Sequence, residues 1–182
     1  PYDGDREKRI VAVNRLSQQK NIFMLLRAMK RVFDVFPEYI LEIYGEGEQQ
    51  EELEKYAKEL KISDNVKFMG LKANVQKYIV NASVFVSSSD YEGMSNSMLE
   101  AMAIGLPVVC TDCPIGGARM VIKNNINNII TPVGEDRIFA DEIIGLLKNP
   151  EKAKRLGKQA SELREQLNVK KIAKEWEKLF EN

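Results

Sequence analysis

The chain of 182 residues contains no histidine, only two cysteines and a single tryptophan. Without histidine the protein lacks the side chain that most often acts as a general base near neutral pH. Its 27 lysines and arginines balance 27 aspartates and glutamates, so the formal net charge is zero. No overall field therefore recruits nucleic acid or an anionic membrane surface. These absences exclude histidine-based catalysis and argue against a nucleic-acid partner.

Long apolar runs are also missing. No stretch approaches the ~20 residues that a membrane-spanning helix needs, and the polar first eight residues do not fit a secretory signal peptide. The chain does not begin with Met, so we expect a piece of a longer protein in which residues 1–8 are the remnant of a linker. Its length suits one α/β domain with a real core. We expect a cytoplasmic protein that can act at the inner face of the cell membrane.

The two cysteines, Cys110 and Cys113, form a C-x-x-C pattern, which is typical of a redox pair or of half a zinc site. A structural zinc needs four ligands, and the sequence does not supply the other two. We favour a simpler interpretation, in which Cys110 closes an apolar strand as a small hydrophobe and Cys113 lies in the following loop. Two free thiols fit a reducing cytoplasm.

Apolar segments with the spacing of strands and of helices alternate along the chain. Strands are predicted at 9–14, 39–44, 66–69, 83–87, 107–111 and 128–131. Helices are predicted at 22–36, 49–60, 75–81 and 138–147, and another begins at Ser95 or Asn96 and ends at Gly105. This alternation predicts an α/β fold, namely a Rossmann-like, doubly wound parallel sheet of about six strands with helices on both faces.

The last ~30 residues differ in character, because they are rich in lysine and glutamate with helical spacing. We place the main domain at 9–166 and a C-terminal amphipathic helix at 167–182. This helix carries an apolar stripe at Ile172, Trp176, Leu179 and Phe180. Stripes with this spacing usually pack on the protein's own core. The alternative is a docking face for a missing second domain.

Two glutamates separated by seven residues, Glu92 and Glu100, stand in an otherwise apolar, glycine-punctuated stretch. The predicted helix around Glu100 is apolar on nearly every side, so we expect it to be buried. A buried carboxylate is costly unless a partner pairs with it or hydrogen-bonds to it. A hydroxyl-rich ligand such as a ribose would do so, as would backbone amides or a lysine of the protein itself.

Four loops carry chemistry that suits a ligand, because open parallel sheets bind ligands beyond the carboxyl ends of their strands. Arg15 and Lys20 lie beside a helix start, where phosphate binds readily, although basic pairs of this kind are more often a solvated surface. The Gly-Glu-Gly loop at 45–47 either admits a ligand closely or is an ordinary turn. The amides of 92–96 suit a phosphate oxygen or a sugar hydroxyl, and 113–117 adds a flexible turn. Together the four loops predict a binding site for a phosphorylated, hydroxylated ligand.

These features resemble the C-terminal, donor-binding half of retaining glycosyltransferases with the GT-B architecture, glycosyltransferase family 4 (group 1) in particular. The resemblance runs from about Arg9 to Phe180. Its most specific part is the glutamate pair followed by the segment AMAIGLPVV at 101–109. Weaker features are Arg15 with Lys20, the loop 45–47, the segment 66–70 and the glycines Gly116 and Gly117.

The resemblance implies a role for each matching residue. Arg15 and Lys20 would bind the nucleotide diphosphate and stabilise it as a leaving group, and Glu92 would lie against the donor sugar. Glu100 would hold the ribose hydroxyls. The remaining donor-site residues would be Gly45, Lys67 beside the base, and the amides of Gly93, Met94, Ser95 and Asn96. No cofactor or metal is expected, since cations and a helix dipole would stabilise the departing diphosphate.

The implied reaction is transfer of a sugar from a nucleotide diphosphate sugar, with a UDP-sugar favoured, to an acceptor with retention at the anomeric carbon. The acceptor, a glycan or a lipid-linked sugar, would bind to an N-terminal half that this chain lacks. That half would also supply any peripheral membrane association, and the fragment alone would be inactive. The setting would be cell-surface polysaccharide synthesis by a bacterial-type enzyme.

Two positions depart from the family pattern. Asn21 stands where the family often has glycine, and Met120 stands where a glutamate is common, so a role for a carboxylate at Met120 is lost. Two alternative functions stay open at this point. One is a stand-alone nucleotide or sugar-phosphate binding module without catalysis, and the other is half of a sugar-nucleotide epimerase.

Overall fold

The computed structural model describes residue 2 and residues 4–180, apart from the side chains of residues 175, 178 and 179. The strands are β1 (Glu7–Val13), β2 (Ile40–Tyr44), β3 (Val66–Gly70), β4 (Ala82–Ser87), β5 (Val108–Thr111) and β6 (Ile129–Thr131). The helices are α1 (Ile22–Val35), α2 (Gln50–Glu59), α3 (Gln76–Ile79), α4 (Asn96–Ala103), α5 (Gly117–Val121), α6 (Asp136–Lys148), α7 (Pro150–Ser161), α8 (Leu163–Gln166) and α9 (Val169–Phe180). Short 3-10 helices cover Gln18–Lys20 and Ser63–Asn65.

All six strands pair in parallel in the order β3-β2-β1-β4-β5-β6. The prediction of a Rossmann-like, doubly wound parallel sheet is therefore confirmed. The chain winds outward from β1 to β3 and then crosses back to β4, so the strand order reverses between β1 and β4. In sheets of this kind, the crevice at the carboxyl ends of the two strands beside the reversal is where ligands bind.

Helices cover both faces of the sheet because the strands are apolar on both sides. Neighbouring residues of a strand point to opposite faces, and Ile10 and Val11 of β1 accordingly belong to two separate cores. The first core includes Leu25 of α1 and Phe139 of α6. The second includes Met102 of α4. Burial of both faces fixes the register of β1 and β4, and with it the position of the loops that follow them.

The amino-terminal boundary differs from the prediction. Strand β1 begins at Glu7, so residues 7 and 8 belong to the sheet and not to a linker. The guanidinium of Arg6 donates hydrogen bonds of 2.7 Å to the carbonyl oxygens of Ala82 and Gly105. Desolvation by burial lowers the pKa of Arg6 from its ordinary value. The expected remnant at 1–8 is therefore two residues too long at its carboxyl end.

The carboxyl-terminal helix α9 leaves much of its apolar stripe uncovered. Trp176 and Phe180 stack on each other with their ring centroids 6.3 Å apart, yet they are 58% and 82% exposed. Packing on the domain's own core, the commoner expectation for such a stripe, is therefore wrong for these two residues. Leu179 lies outside the described side chains. Docking to a second domain stays a prediction.

Candidate functional site

Lys20 and Glu92 form an ion pair across the point where the strand order reverses. Lys20 ends the 3-10 helix in the loop after β1, and Glu92 lies in the loop after β4. Their side chains are only 16% and 21% exposed, so solvent screens this pair less than it would screen an exposed surface pair. The structure thus brings together two residues that are 72 positions apart in the sequence.

Three hydrogen bonds to backbone carbonyl groups join these two loops to each other. The amide of Asp90 donates to the carbonyl oxygen of Gln19 at 2.9 Å, and the side-chain amide of Gln19 donates to the carbonyl of Tyr91 at 2.9 Å. The hydroxyl of Ser88 donates to the carbonyl of Lys20 at 2.7 Å. These hydrogen bonds therefore fix the backbone of the two loops next to Lys20 and Glu92.

Arg15 pairs with a different carboxylate. Its guanidinium lies 3.8 Å from Glu48, and both side chains are largely exposed. Exposed pairs of this kind contribute little to stability, typically ~0–1 kcal/mol. Arg15 can therefore leave Glu48 for a ligand at little cost.

The Gly-Glu-Gly loop after β2 makes its close contact with the protein's own backbone. A Cβ atom on Gly45 would lie 2.0 Å from the carbonyl oxygen of Asn14, and one on Gly47 would lie 2.2 Å from that of Leu16. Gly45 also has a φ of 135°, which favours glycine. These glycines let the loops after β1 and β2 run side by side, and a direct ligand role for Gly45 stays a prediction.

The loop before α4 is built for close packing as well. Ser95 caps the helix by accepting a hydrogen bond from the Met98 amide at 3.4 Å, as its position in the sequence indicated. A Cβ atom on Gly117 would lie 1.9 Å from the carbonyl oxygen of Gly93. The amino end of α5 therefore lies directly against the backbone of Gly93 and Met94 in the loop before α4.

Glu100 is exposed, so the expectation of a buried carboxylate is wrong. Helix α4 buries Met98, Ala101 and Met102, and Glu100 lies on the uncovered side. Its carboxylate accepts a hydrogen bond of 2.7 Å from the side-chain amide of Gln76 in α3. An exposed carboxylate needs no partner to offset burial, so burial no longer supports a ribose-binding role. That role stays a prediction, which rests on the resemblance alone.

Lys67 is exposed and occupies the second position of β3. It pairs in register with Glu42 of β2 and lies three residues before the carboxyl end of its strand. Among the described residues, no hydrogen bond or ion pair joins Lys67 to Lys20 or Glu92. Its role beside a base also stays a prediction.

Several site residues carried no clear sequence signal. A small cavity beside Glu92 is lined by Ser89 and Cys113, among others. The Ser89 hydroxyl is buried and has no hydrogen-bond partner in the part of the chain that the structure describes. Both cysteines are free and buried, and burial raises the pKa of the Cys110 thiol to about 12. The run of three serines before Asp90 gave no indication that two of them, Ser87 and Ser89, would line this cavity.

A cavity of about 680 Å³ lies at the opposite edge of the sheet, away from Lys20 and Glu92. Its walls include Arg6, Tyr39 and Ser83 near the amino ends of strands, and Leu146 and Lys154 of α6 and α7. No predicted site residue lines it. Because ligands of such sheets bind at the carboxyl ends of the strands, we place the candidate site at Lys20 and Glu92.

The family model for glycosyl transferases group 1 matches residues 3–163, which is most of the chain. The chain belongs to this family. An uncharacterized glycosyltransferase of Methanocaldococcus jannaschii is 28% identical to this glycosyltransferase domain over 199 residues, covering 94% of the chain and 49% of the relative. A poly(ribitol-phosphate) alpha-N-acetylglucosaminyltransferase of Staphylococcus aureus is 29% identical over 181 residues, covering 99% of the chain and 36% of the relative. The chain thus spans about half the length of these relatives or less.

Solved structures agree with the family. A crystal structure of an S. aureus TarM variant in complex with UDP, alpha-GlcNAc-glycerol and fondaparinux is similar with a TM-score of 0.91 and 28% identity. The match covers 100% of this chain and 37% of TarM. The C-terminal domain of a group 1 glycosyl transferase from Francisella tularensis has the same fold, with a TM-score of 0.79 at 19% identity, over 90% of this chain and 87% of that one. The glycosyltransferase domain therefore has the fold of a GT-B C-terminal half.

Proposed function

We propose that this chain is the donor-binding half of a retaining glycosyltransferase that uses a nucleotide diphosphate sugar. The observation that carries the proposal is the Lys20–Glu92 pair, which lies where the strand order reverses and where sheets of this kind bind nucleotides. The chain's family supports sugar transfer. A similar structure whose complex contains UDP supports uridine diphosphate as the nucleotide.

The chemistry needs a positive charge where the leaving group departs. As the bond from the sugar to the diphosphate breaks, negative charge grows on the diphosphate oxygens. Lys20 supplies a charge already held by two loops, and Arg15 supplies a second from an exposed position at the same edge. A preorganised cation stabilises this developing charge without having to reorient during the reaction.

The carboxylates have separate roles in the proposal. Glu92, next to Lys20, lies against the donor sugar, and Glu100 accepts hydrogen bonds from the ribose hydroxyls. Glu100 is free to do so because its present partner, the Gln76 amide, is part of an exposed contact. Lys67, Gly45 and the amides of 93–96 complete the donor site.

A titration tests the donor site directly. Replacing Lys20 or Arg15 by Ala should lower the affinity for UDP by roughly 10- to 150-fold, since each removes a charge-assisted contact. Uridine, which has no phosphate, should bind nearly as before. Lys8→Ala is the matched control, because Lys8 lies near the amino end of β1 and pairs with Glu38 at 3.3 Å. Equal losses for UDP and uridine would contradict the assignment of the two cations.

The ribose role needs its own comparison. Glu100→Gln should weaken UDP binding and spare 2′-deoxy-UDP, because a carboxylate accepts from the ribose hydroxyls more strongly than an amide does. If the substitution changes neither affinity, Glu100 is not a donor ligand and only the phosphate half of the site stands.

The whole enzyme would need a second half for the acceptor. We propose that the exposed side of α9, with Trp176 and Phe180, docks on that half, and that the acceptor is a glycan or a lipid-linked sugar used in cell-surface polysaccharide synthesis. The proposed location is the cytoplasm, at the inner face of the membrane. No helix in the described part of the chain is long and apolar enough to cross a bilayer.

The chain alone should give no glycosylated product with UDP-sugars and candidate acceptors, because alignment of both reactants supplies much of the rate.

A further inference from the structure

Asn21 joins three structural features at one position. Its backbone lies in the left-handed region, with φ 44° and ψ 51°. Its side-chain oxygen accepts a hydrogen bond of 3.1 Å from the amide of Met24 and so caps α1. Its side-chain nitrogen donates a hydrogen bond of 2.6 Å to the carboxylate of Asp90 in the loop after β4. A glycine could adopt this backbone conformation but could make neither side-chain contact.

The Asn21–Asp90 contact joins the same two loops as the Lys20–Glu92 pair. Asn21 follows Lys20 directly, and Asp90 precedes Glu92 by two residues, so the two contacts lie next to each other between the loops. Lysine has a flexible four-carbon stem and loses about 2 kcal/mol of rotamer entropy when it is fixed. A firmly held backbone restricts the positions that the ammonium group can reach on this stem, so fewer conformations are lost when the group meets a ligand.

We propose that Asn21 and Asp90 are a positioning pair, which holds the backbone of Lys20 so that its ammonium group meets the donor diphosphate. The inference rests on the proposed donor function, and it assigns to both residues a role that acts through Lys20. Neither residue has to touch the substrate. The pair also gives a physical reason for asparagine at position 21, because this residue combines a left-handed backbone with an acceptor for α1 and a donor for Asp90.

The first test compares UDP with uridine by calorimetric titration of the chain. Asp90→Ala removes the acceptor and should lower UDP affinity roughly 3- to 10-fold, with uridine affinity unchanged. Asp90→Asn keeps an oxygen of the same shape and should stay within about 2-fold of the wild type. A merely structural role would instead lower the melting temperature and weaken both ligands alike.

A second test exchanges the two residues. Asn21→Asp keeps a cap for α1 but sets two carboxylates against each other, so UDP affinity should fall. The double variant Asn21→Asp/Asp90→Asn has the composition and charge of the wild type, and its asparagine can donate to its aspartate. The exchange should restore affinity to within about 2-fold of the wild type, because the hydrogen bond is remade in the reverse direction. A double variant as weak as Asn21→Asp alone would overturn the proposal.

A thermodynamic cycle separates this inference from the proposed function. If the pair acts through Lys20, then Asp90→Ala should cause no further loss of UDP affinity when Lys20 is already Ala. A full additional loss would mean that Asp90 acts independently of Lys20, which contradicts a positioning role. If Lys20→Ala itself leaves UDP affinity unchanged, the proposed donor site fails. If Lys20→Ala weakens binding while Asp90→Ala does not, only the positioning pair fails.

Discussion

Replacing Glu92 by Gln should strengthen the binding of UDP. In the structure Glu92 holds the ammonium group of Lys20, and both side chains are mostly buried. A diphosphate that binds to Lys20 has to replace this carboxylate or bind beside it. In either case the negative charge of Glu92 opposes the ligand, so removing that charge should favour binding.

The size of the effect follows from the contact. A hydrogen bond to a charged group is worth about 1.5–3 kcal/mol. Glutamine keeps the shape of glutamate and an oxygen that accepts from Lys20, so only part of this energy is lost before UDP binds. We expect a gain of about 1–2 kcal/mol, or roughly 5- to 30-fold in UDP affinity. Uridine should show no gain, since it carries no charge.

The assay is calorimetric titration of the wild type, Glu92→Gln and Glu48→Gln with UDP and a UDP-sugar. Glu48→Gln is the matched control, because Glu48 pairs with Arg15 at 3.8 Å with both side chains largely exposed. Its affinity should stay within about 2-fold of the wild type. The UDP-sugar should gain less than UDP does from Glu92→Gln, since Glu92 is proposed to contact the sugar. Weaker UDP binding by Glu92→Gln would refute the reasoning, because Glu92 would then assist the diphosphate.

Three further predictions concern the parts that support the site. Gly117→Ala should lower UDP affinity and destabilise the fold by about 1–3 kcal/mol, because the added Cβ atom would clash with the backbone of Gly93. Gly145→Ala is the control, because a Cβ atom added there would have no neighbouring atom within 4 Å, and it should leave stability unchanged or raise it by up to ~1 kcal/mol. Calorimetric titration and urea unfolding of both variants measure these effects. Burial, and then the contact with the neighbouring carboxylate of Glu42, raises the pKa of Tyr44 from 10.0 to about 12. The unfolded chain therefore loses the phenol proton at a lower pH than the folded chain does, and the free energy of unfolding should fall as pH rises from 10 to 12. Chemical unfolding at these pH values should show a smaller fall for Tyr44→Phe. Trp176→Ala should change self-association in sedimentation more than stability, and a loss of ~3–5 kcal/mol would place α9 in the core instead.

Most of the sheet was predictable because its signals are local. Apolar strands alternate with helical spacing, and every strand predicted from the sequence is present with its ends within about two residues. The helical spacing of the last ~30 residues was predicted, but helix α7 was not given bounds of its own, because its buried side is made partly of small residues, among them Ala153, Gly157 and Ala160. These give a weak apolar stripe, yet Gly157 is needed there, since a Cβ atom on it would lie 2.2 Å from the carbonyl oxygen of Gly105.

The exposure of Glu100 could not be predicted for a different reason. Helix α4 contains apolar residues all around its circumference, so composition alone indicates burial. Whether one side is covered depends on which element packs there. The four-residue helix α3 contacts Glu100 through Gln76 and leaves it exposed. The ion pair of Lys20 and Glu92 was hidden in the same way, because it requires β1 and β4 to be neighbours.

The two cations of the candidate site, Lys20 and Arg15, differ in how firmly their side chains are held, and this difference affects how much each contributes to UDP affinity. Lys20, Glu92, Asn21 and Asp90 form direct contacts between two loops that follow buried strands. Within the described residues, the Arg15 side chain has only its exposed ion pair with Glu48. Ligand binding therefore has to order Arg15 but not Lys20, and ordering a long side chain costs roughly 0.5–1.5 kcal/mol. Removing Lys20 also leaves the mostly buried negative charge of Glu92 without its partner beside the ligand. Lys20→Ala should therefore lose more UDP affinity than Arg15→Ala.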